Sequence, residues 1–273
     1  MAAPHVRDVD FLDLLTLEPH GPDTFVGITA DYPWGGRLFG GQVVAQALRA
    51  AIETVAPDRQ VHSLHSYFIR PGTPDEPVCY EVERLRDGRS FTTRQVVARQ
   101  SSGAILNLSA SFQSPEDEAD VPAGTIPDGL PGPNDPEVAN HSWGAMLERH
   151  KVISPDGYIG YWIRLDAELP DDPVVNVCGV AFMSDAAPSR PARSQHPHFP
   201  GHENDRHWFQ GASLDHSVWF HRPSRADEWH WFDARAHGLS GARGLVTADV
   251  YTQSGVHAIT IAQQVLLRKQ RDA

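Results

Sequence analysis

The chain repeats one pattern on either side of a proline-rich, acidic segment, and this repetition is the feature that most constrains its fold. Residues 65–71 read HSYFIRP and residues 216–223 read HSVWFHRP. Each is followed by an alternating apolar run, and then by two long strand-like runs joined at Ser102-Gly103 or at Ser254-Gly255. Long alternating runs joined by short glycine-containing turns are typical of antiparallel sheet. We therefore predict a duplicated unit built mainly from antiparallel strands.

One helix stands out in the first half, over residues 38–52. Its apolar positions Val43, Val44, Ala47 and Leu48 recur at helical spacing after two glycines. Small residues cover much of its remaining surface, so we expect it to lie deep in the fold with a sheet close around it. A central helix with several long antiparallel strands is the layout of a hotdog unit, which predicts an α+β fold that occurs twice.

The segment that separates the two halves has a different composition. Residues 114–140 contain six prolines and many acidic side chains, and they lack periodic apolar positions. Such a sequence stiffens its own backbone and is typical of a linker that crosses a surface. We predict an N-terminal unit over residues 1–113, a mostly irregular linker over 114–140 and a C-terminal unit over 141–273.

Charge and hydropathy exclude several partner classes. The formal net charge is −12, which disfavours nucleic acid and anionic membranes, because both are bound mainly through Lys and Arg. A local basic cluster could still bind one phosphorylated small ligand. The sequence has no apolar run of transmembrane length, no signal-peptide pattern at its start and no peroxisomal tripeptide at its end. We expect a cytoplasmic protein.

The residues that commonly bind metals are scattered. Cys79 and Cys178, the two cysteines, lie far apart in apolar runs that we interpret as strands, which predicts buried thiols without a disulfide. A histidine-rich stretch has irregular spacing and intervening prolines, and it indicates a solvated loop rather than a zinc site; its members are His196, His198, His202 and His207. No phosphate-binding glycine loop, nucleophile elbow or dinucleotide fingerprint is present. We expect neither a metal nor a cofactor.

Five segments, in order, resemble the type II acyl-CoA thioesterases. They read LFGGQVVAQAL at 38–48, HSLHSYFIRPG at 62–72, VERLRDGRSF at 82–91, ASLDHSVWFH at 212–221 and SGARGL at 240–245. The similarity covers most of the chain except the linker and residues 186–210. It implies a double hotdog, hydrolysis of acyl-CoA to free fatty acid and CoA, a role in fatty acid metabolism and a homodimer or larger homo-oligomer.

The resemblance also implies a catalytic group from the C-terminal half, made of an Asp, a Ser or Thr, and a Gln that together hold the attacking water. Carried over by position, these residues are Asp185, Ser213 and Gln263. A thioester carbonyl is electrophilic enough to need no covalent intermediate. A carboxylate that orients or deprotonates water, with two polar groups that fix this water, suits the reaction.

The residues alone leave other interpretations open. Gln263 falls on the apolar face of an alternating strand, where a buried amide needs partners or costs about 1–3 kcal/mol, so a structural hydrogen bond would also explain it. Asp185 ends an apolar run and would equally suit a capping role. Gly40 and Gly41 indicate either a tight start of the helix or a substrate-binding and oxyanion site. Asp215 and His216 look like an acid–base pair, but the side chains of adjacent strand residues point to opposite faces. We therefore interpret His216 as structural or supporting.

One departure from the family pattern bears on the site. In the family that the chain resembles, an apolar central helix usually follows the Asp, whereas here Pro188 and Pro191 follow Asp185. The prolines predict a second central helix that is short, displaced or replaced by a loop. This suggests a second hypothesis, a catalytically weak protein that binds or senses acyl-CoA. A third, an enoyl-CoA hydratase, needs an Asp–His pair at the start of the central helix, and Gly40, Gly41 and Gln42 provide none.

Overall fold

The computed structural model describes residues 6–140, 146–153, 159–199 and 208–270. A 3-10 turn, Val6–Asp8, precedes four helices: α1 Phe11–Leu15, α2 Gly40–Ile52, α3 Pro173–Ser184 and α4 Ser189–Ser194. The strands are β1 Leu17–Pro19, β2 Thr24–Gly27, β3 Gln60–Phe68, β4 Val78–Asp87, β5 Phe91–Gln100, β6 Gly103–Gln113, β7 Ala139–Asn140, β8 Leu147–Ile153, β9 Ile159–Leu165, β10 Phe209–Ser213, β11 Asp215–Phe220, β12 His230–Ser240, β13 Arg243–Thr252 and β14 His257–Lys269.

All these strands belong to one antiparallel sheet. Its order is β1-β2-β4-β5-β6-β3-β11-β14-β13-β12-β9-β8-β7, and β10 pairs with β14. The two halves meet where β3 pairs with β11, with Leu64 opposite Val218. Outward from this seam the order is β6, β5, β4 on one side and β14, β13, β12 on the other. The predicted α+β double hotdog and its duplicated strand pattern are confirmed.

The two predicted hairpin turns are present. Gly103 and Gly255 have φ angles of 107° and 87°, a region that favours glycine because a side chain would clash there. The β14 strand alternates as predicted, with buried side chains at every second position from Ile259 to Leu267, including Gln263. The turn residues and the alternation therefore fix which face of β14 lies inside the fold.

The α2 helix is the central helix that the sequence predicts. Ten of its thirteen residues are buried. Two of them are polar and find partners inside the fold: Gln42 accepts a hydrogen bond from the Tyr32 hydroxyl at 2.8 Å, and Gln46 accepts one from Tyr80 at 2.7 Å. Satisfied in this way, the two amides can be buried without a large free-energy cost.

The strand interpretation of the run before Asp185 is wrong, because this run is the helix α3. After Asp185 the chain forms the six-residue helix α4, in agreement with the short helix that the two prolines predict. The α3 helix starts at Asp172, whose carboxylate accepts from the Val174 N–H at 2.7 Å, with Pro173 in its first turn. Both are helix-start signals. Cys178 is therefore helical, whereas Cys79 lies in β4 as predicted.

The α2 and α3 helices cross closely at glycine. A Cβ atom on Gly41 would lie 2.1 Å from the Phe182 carbonyl oxygen, so only glycine permits this approach. The Phe39 and Phe182 rings meet edge to face, with centroids 5.0 Å apart. The start of α2 consequently lies beside the end of α3, which brings the residue after α3 to the first turn of α2.

Residues 114–138 contain neither helix nor strand, and β7 follows them. The segment packs Ile126 and Leu130 against an aromatic cluster formed by Trp162, Trp229, Trp231 and Tyr251, with Val152. The Trp162 indole donates to the Pro131 carbonyl at 2.9 Å. The boundaries of the two units stay a prediction. Among the helices of the described ranges, none has the length and the apolar character that a membrane-spanning segment needs.

Candidate active site

A cleft of about 380 Å³ opens where α2 begins and α3 ends, with β10 and β14 on its other side. Most of its lining is apolar, including Leu38, Phe68 and Leu214. Its polar lining includes Asp185, Ser213 and Gln263, together with three arginines described below. The cleft therefore combines an apolar wall with a small group of convergent polar side chains, as binding sites for small molecules commonly do.

Three elements bring the predicted catalytic residues together. Asp185 directly follows the last residue of α3, Ser213 ends β10, and Gln263 lies on the inner face of β14. Ser213 Oγ donates to Asp185 Oδ1 at 3.2 Å, and Gln263 Nε2 donates to Ser213 Oγ at 2.7 Å. The side chain of Gln263 and the backbone N–H of Gly41 also donate to the Asp185 carboxyl. Convergence is thus observed, and the catalytic role stays a prediction.

The environment of Asp185 makes it a weaker acid than an ordinary aspartic acid. Burial raises the pKa of its carboxyl to about 6, because the charged form loses solvation. The donors from Gln263, Ser213 and Gly41 act in the opposite direction and stabilise the carboxylate. At neutral pH the group is therefore largely ionised, yet basic enough to accept a proton.

The two glycines at the start of α2 let the helix approach this carboxylate. A Cβ atom on Gly40 would lie 2.6 Å from Asp185 Oδ2 and 2.9 Å from the Phe68 ring. Gly40 lines the cleft, whereas the Gly41 N–H points to Asp185. Close packing is one reason for both glycines, and their predicted contact with substrate stays a prediction.

His216 is connected to the site more directly than the sequence indicates. Its Nδ1 lies 2.5 Å from Gln263 Oε1, and its Nε2 lies 2.7 Å from Ser184 Oγ. Burial lowers the pKa of His216 to about 4, so the ring is neutral at physiological pH. Asp215 instead accepts from the Gln264 N–H at 2.7 Å, on the other side of β11. The sequence signal for the inward position of His216 was its spacing of two residues from Val218, because alternate residues of a strand share one face.

Neither the acid–base pair of a hydratase nor a zinc site in the histidine-rich stretch is formed by the described residues. His216 bonds to Gln263 and Ser184 rather than to Asp185, so the structure gives no acid–base pair at the helix start for a hydratase. Among the histidine-rich stretch, His202 and His207 lie outside the described residues. In the parts of the chain that are described, no three His, Cys, Asp or Glu side chains are placed to hold a metal ion.

Three arginines also line the cleft and were not singled out from the sequence. They are Arg37 and Arg70, which are exposed, and Arg193, which is half-buried. They come from the loop before α2, the segment after β3 and the helix α4. Because they lie far apart in the sequence, no local pattern connects them, and only the fold forms this basic cluster in a chain with a net charge of −12.

Two family models match nearly the whole chain. Residues 28–113 match the acyl-CoA thioesterase N-terminal domain, and residues 115–267 match the acyl-CoA thioesterase C-terminal domain. Acyl-coenzyme A thioesterase 8 of Mus musculus is 34% identical, over 96% of this chain and 90% of that protein. Acyl-CoA thioesterase 2 of Haemophilus influenzae is 32% identical, over 95% of this chain and 97% of that protein.

Solved structures agree with these sequence matches. Acyl-CoA thioesterase II TesB2 from Mycobacterium marinum has a TM-score of 0.80 and 33% identity, covering 96% of this chain and 98% of that chain. A conserved hot dog fold protein from Alicyclobacillus acidocaldarius has a TM-score of 0.76 at 20% identity, covering 95% of this chain and 98% of that chain, and bears on the fold alone.

Proposed function

The chain belongs to the acyl-CoA thioesterase family and is an acyl-CoA thioesterase, and we propose that Asp185, Ser213 and Gln263 activate and position the water that attacks the thioester. The observation that supports this assignment is the convergence of three side chains from distant parts of the sequence on one wall of the cleft. The products are a free fatty acid and CoA.

The hydrogen bonds leave room for a water molecule in a defined orientation. Ser213 Oγ donates to Asp185 and accepts from Gln263, which leaves one of its two lone pairs free. A water that donates one hydrogen to the Asp185 carboxylate and the other to Ser213 directs its own lone pair away from both. The thioester carbonyl carbon would meet that lone pair.

Proton transfer then follows the basicity of Asp185. The carboxylate takes a proton as the water oxygen bonds to the carbonyl carbon, and the protonated Asp185 returns it to the sulfur as the carbon–sulfur bond breaks. A pKa near 6 suits both steps, because the group is ionised before attack and acidic enough to donate afterwards. We place the developing oxyanion at the backbone N–H of Gly40, because the Gly41 N–H donates to Asp185 and the N–H groups of Gln42 and Val43 donate to the Phe39 carbonyl.

The rest of the cleft suits an acyl-CoA ester. Apolar side chains such as Phe68, Leu214 and Val265 would contact the acyl chain. The arginines at positions 37, 70 and 193 would attract the phosphates of CoA, since guanidinium groups bind phosphate by paired hydrogen bonds. A role in fatty acid metabolism and a homo-oligomer remain proposals that the family resemblance supports, and a cytoplasmic location remains a proposal from the sequence alone.

The proposal is tested by assaying the purified full chain against acyl-CoA esters of different chain length, with release of the free CoA thiol as the readout. We expect steady hydrolysis by the wild type. Asp185→Ala should lower kcat about 10²–10⁴-fold, because it removes the base. Asp58→Ala removes a carboxylate that is 68% exposed and outside the cleft, and it should keep wild-type turnover.

A second candidate, a protein that binds or senses acyl-CoA, retains the cleft without turnover. It would show saturable binding of acyl-CoA by calorimetry, no release of thiol, and equal affinity in the wild type and Asp185→Ala. That result would replace the proposed mechanism.

A further inference from the structure

We infer that His216 is a positioning residue that fixes the orientation of the Gln263 amide, so that its N–H groups rather than its oxygen face Ser213 and Asp185. This inference rests on the proposed function and extends it to a side chain that does not line the cleft.

The direction of the hydrogen bonds follows from the carboxylate. An ionised Asp185 can only accept, so the single hydroxyl hydrogen of Ser213 must point to it across the 3.2 Å contact. Ser213 must then accept the hydrogen bond from Gln263 at 2.7 Å. The amide nitrogen of Gln263 therefore faces Ser213, and its oxygen faces away.

Away from the cleft, that amide oxygen meets His216. Gln263 Oε1 can only accept, so His216 Nδ1, at 2.5 Å, must carry the hydrogen. A neutral imidazole carries one N–H, which leaves Nε2 as an acceptor for the hydroxyl of Ser184 at 2.7 Å. The Ser184 hydroxyl also lies 2.7 Å from the Ala181 carbonyl, so its one hydrogen must point to His216 Nε2 rather than to Ala181 in this tautomer. The required tautomer thus has a partner on each ring nitrogen, and both partners lie in fixed elements, α3 and β14.

Without this donor, the Gln263 amide loses the partner that holds its oxygen away from the cleft, and a 180° rotation would present oxygen in place of nitrogen. Gln263 Oε1 would then face Ser213 and Asp185, where it could not donate to the carboxylate. Both water positioning and the basicity of Asp185 would change. His216 is fully buried and does not line the cleft, so it acts through Gln263 rather than by contact with substrate.

Two substitutions at position 216 separate the two ring nitrogens. His216→Asn places an amide nitrogen near the position of Nδ1, and His216→Gln places a polar atom near Nε2 but removes the donor to Gln263. We expect His216→Gln to lower kcat roughly 10–100-fold with KM within about twofold of wild type, since misplaced groups cost rate at this scale. His216→Asn should retain at least about ten times the kcat of His216→Gln.

His230 offers a matched control. It is also fully buried, its pKa is also lowered to about 4 by burial, and both of its ring nitrogens are bonded, to the Glu228 carbonyl and to Ser224, both at 2.9 Å. It does not line the cleft. His230→Gln should lose stability without a change in kcat of the folded protein. Equal kcat in His216→Gln, His216→Asn and wild type would overturn the positioning role.

The acid limb of the pH profile gives a readout that a purely structural residue would not move. The Gln263 donor lowers the pKa of Asp185, so its loss in His216→Gln should shift the acid limb of kcat/KM to higher pH. The other charged side chains in the cleft, Arg37, Arg70 and Arg193, are unchanged in every variant. An unshifted limb in a folded, impaired His216→Gln would contradict the inference.

If the variants fail to fold, the tautomer of His216 in the wild-type protein tests the inference. Nitrogen-15 NMR of histidine-labelled full chain, with His216 assigned by its shift in Ser184→Ala, should show a neutral ring protonated at Nδ1 at neutral pH. Protonation at Nε2 would overturn the inference. Because this measurement needs no substrate, its failure is distinguishable from a failure of the proposed thioesterase mechanism, which the wild-type assay reports.

Discussion

The carboxyl group of Asp185 lies where α3 ends, beside donors from Ser213, Gln263 and Gly41, and it opens on the cleft. Burial and hydrogen bonding act on its pKa in opposite directions, and burial is the larger effect. The residue types of this site could be named from the family resemblance, and the inward register of Gln263 from strand alternation. The contact between Gln263 and His216 could not be predicted from the sequence, because it depends on how β11 and β14 pair.

The pKa of Asp185 predicts how activity depends on pH. If Asp185 is the base, kcat/KM of the wild type should rise with pH through an apparent pKa of about 6 and then level off, because only the carboxylate accepts the proton of water. Initial rates across this range, with a substrate well below its KM, test the prediction. A flat profile below pH 7 would exclude Asp185 as the base.

The same pKa predicts a stability effect with a definite sign. The Asp185 carboxyl binds its proton more tightly in the folded chain, where its pKa is about 6, than in the unfolded chain, where its ordinary pKa is 3.8. Its contribution to the free energy of unfolding is therefore fully present below pH 3.8 and is lost as pH rises through 6. Relative to wild type, Asp185→Asn should gain up to about 3 kcal/mol between these limits, as each pKa unit is worth about 1.36 kcal/mol.

Denaturant unfolding of both proteins at pH 4 and pH 7 measures this difference. Asp58→Asn, at an exposed carboxyl, serves as the control and should show no such gain. A constant difference between Asp185→Asn and wild type at the two pH values would contradict the raised pKa.

Among the elements, the strands and α2 were more predictable than α3. Alternation and glycine turns identify β5, β6, β13 and β14 because one face of each is buried and the other is not. The run from Val174 to Met183 is apolar on nearly every side, since α3 is enclosed by α2 and the sheet, and periodicity then cannot distinguish a helix from a strand. Its length and the Asp172-Pro173 start were the usable signals.

Because the start of α2 lies beside Asp185, adding one methyl group at Gly40 is predicted to lower activity. The new Cβ of Gly40→Ala would lie 2.6 Å from Asp185 Oδ2, so the carboxylate must move. We expect kcat to fall about 10–100-fold, because the base is displaced from its donors. The thiol-release assay measures this loss, and circular dichroism should show a folded protein.

A matched substitution tests whether the effect is local. Gly132→Ala also adds one methyl group, but its nearest neighbour, an Asp135 oxygen, would be 3.7 Å from the new Cβ, an ordinary contact. This variant should keep wild-type kcat. Equal activity in Gly40→Ala and wild type would show that the carboxylate position is not critical.

At the scale of the whole molecule, the strand order repeats on either side of the β3–β11 seam, but the two halves contribute different parts of the site. The C-terminal half supplies Asp185, Ser213 and Gln263, whereas the N-terminal half supplies the start of α2 and one wall of the cleft, including Phe68. Each half therefore depends on the other for a complete site. The duplication could be predicted from the sequence, but the placement of α2 against Asp185 follows from the antiparallel crossing of two helices.

The distribution of charge over the molecule gives the last prediction. In a chain of net charge −12, arginines gathered at one cleft create a local attraction for an anionic ligand such as CoA. Arg70→Gln should raise KM for acyl-CoA about 2–5-fold at low ionic strength with little change in kcat, since an exposed charge contributes about 0.2–1 kcal/mol. The increase should shrink as salt is added, because salt screens exposed charges. Arg89→Gln makes the same charge change at an exposed position outside the cleft. If both variants raise KM equally, the attraction belongs to the net charge of the protein rather than to the cleft.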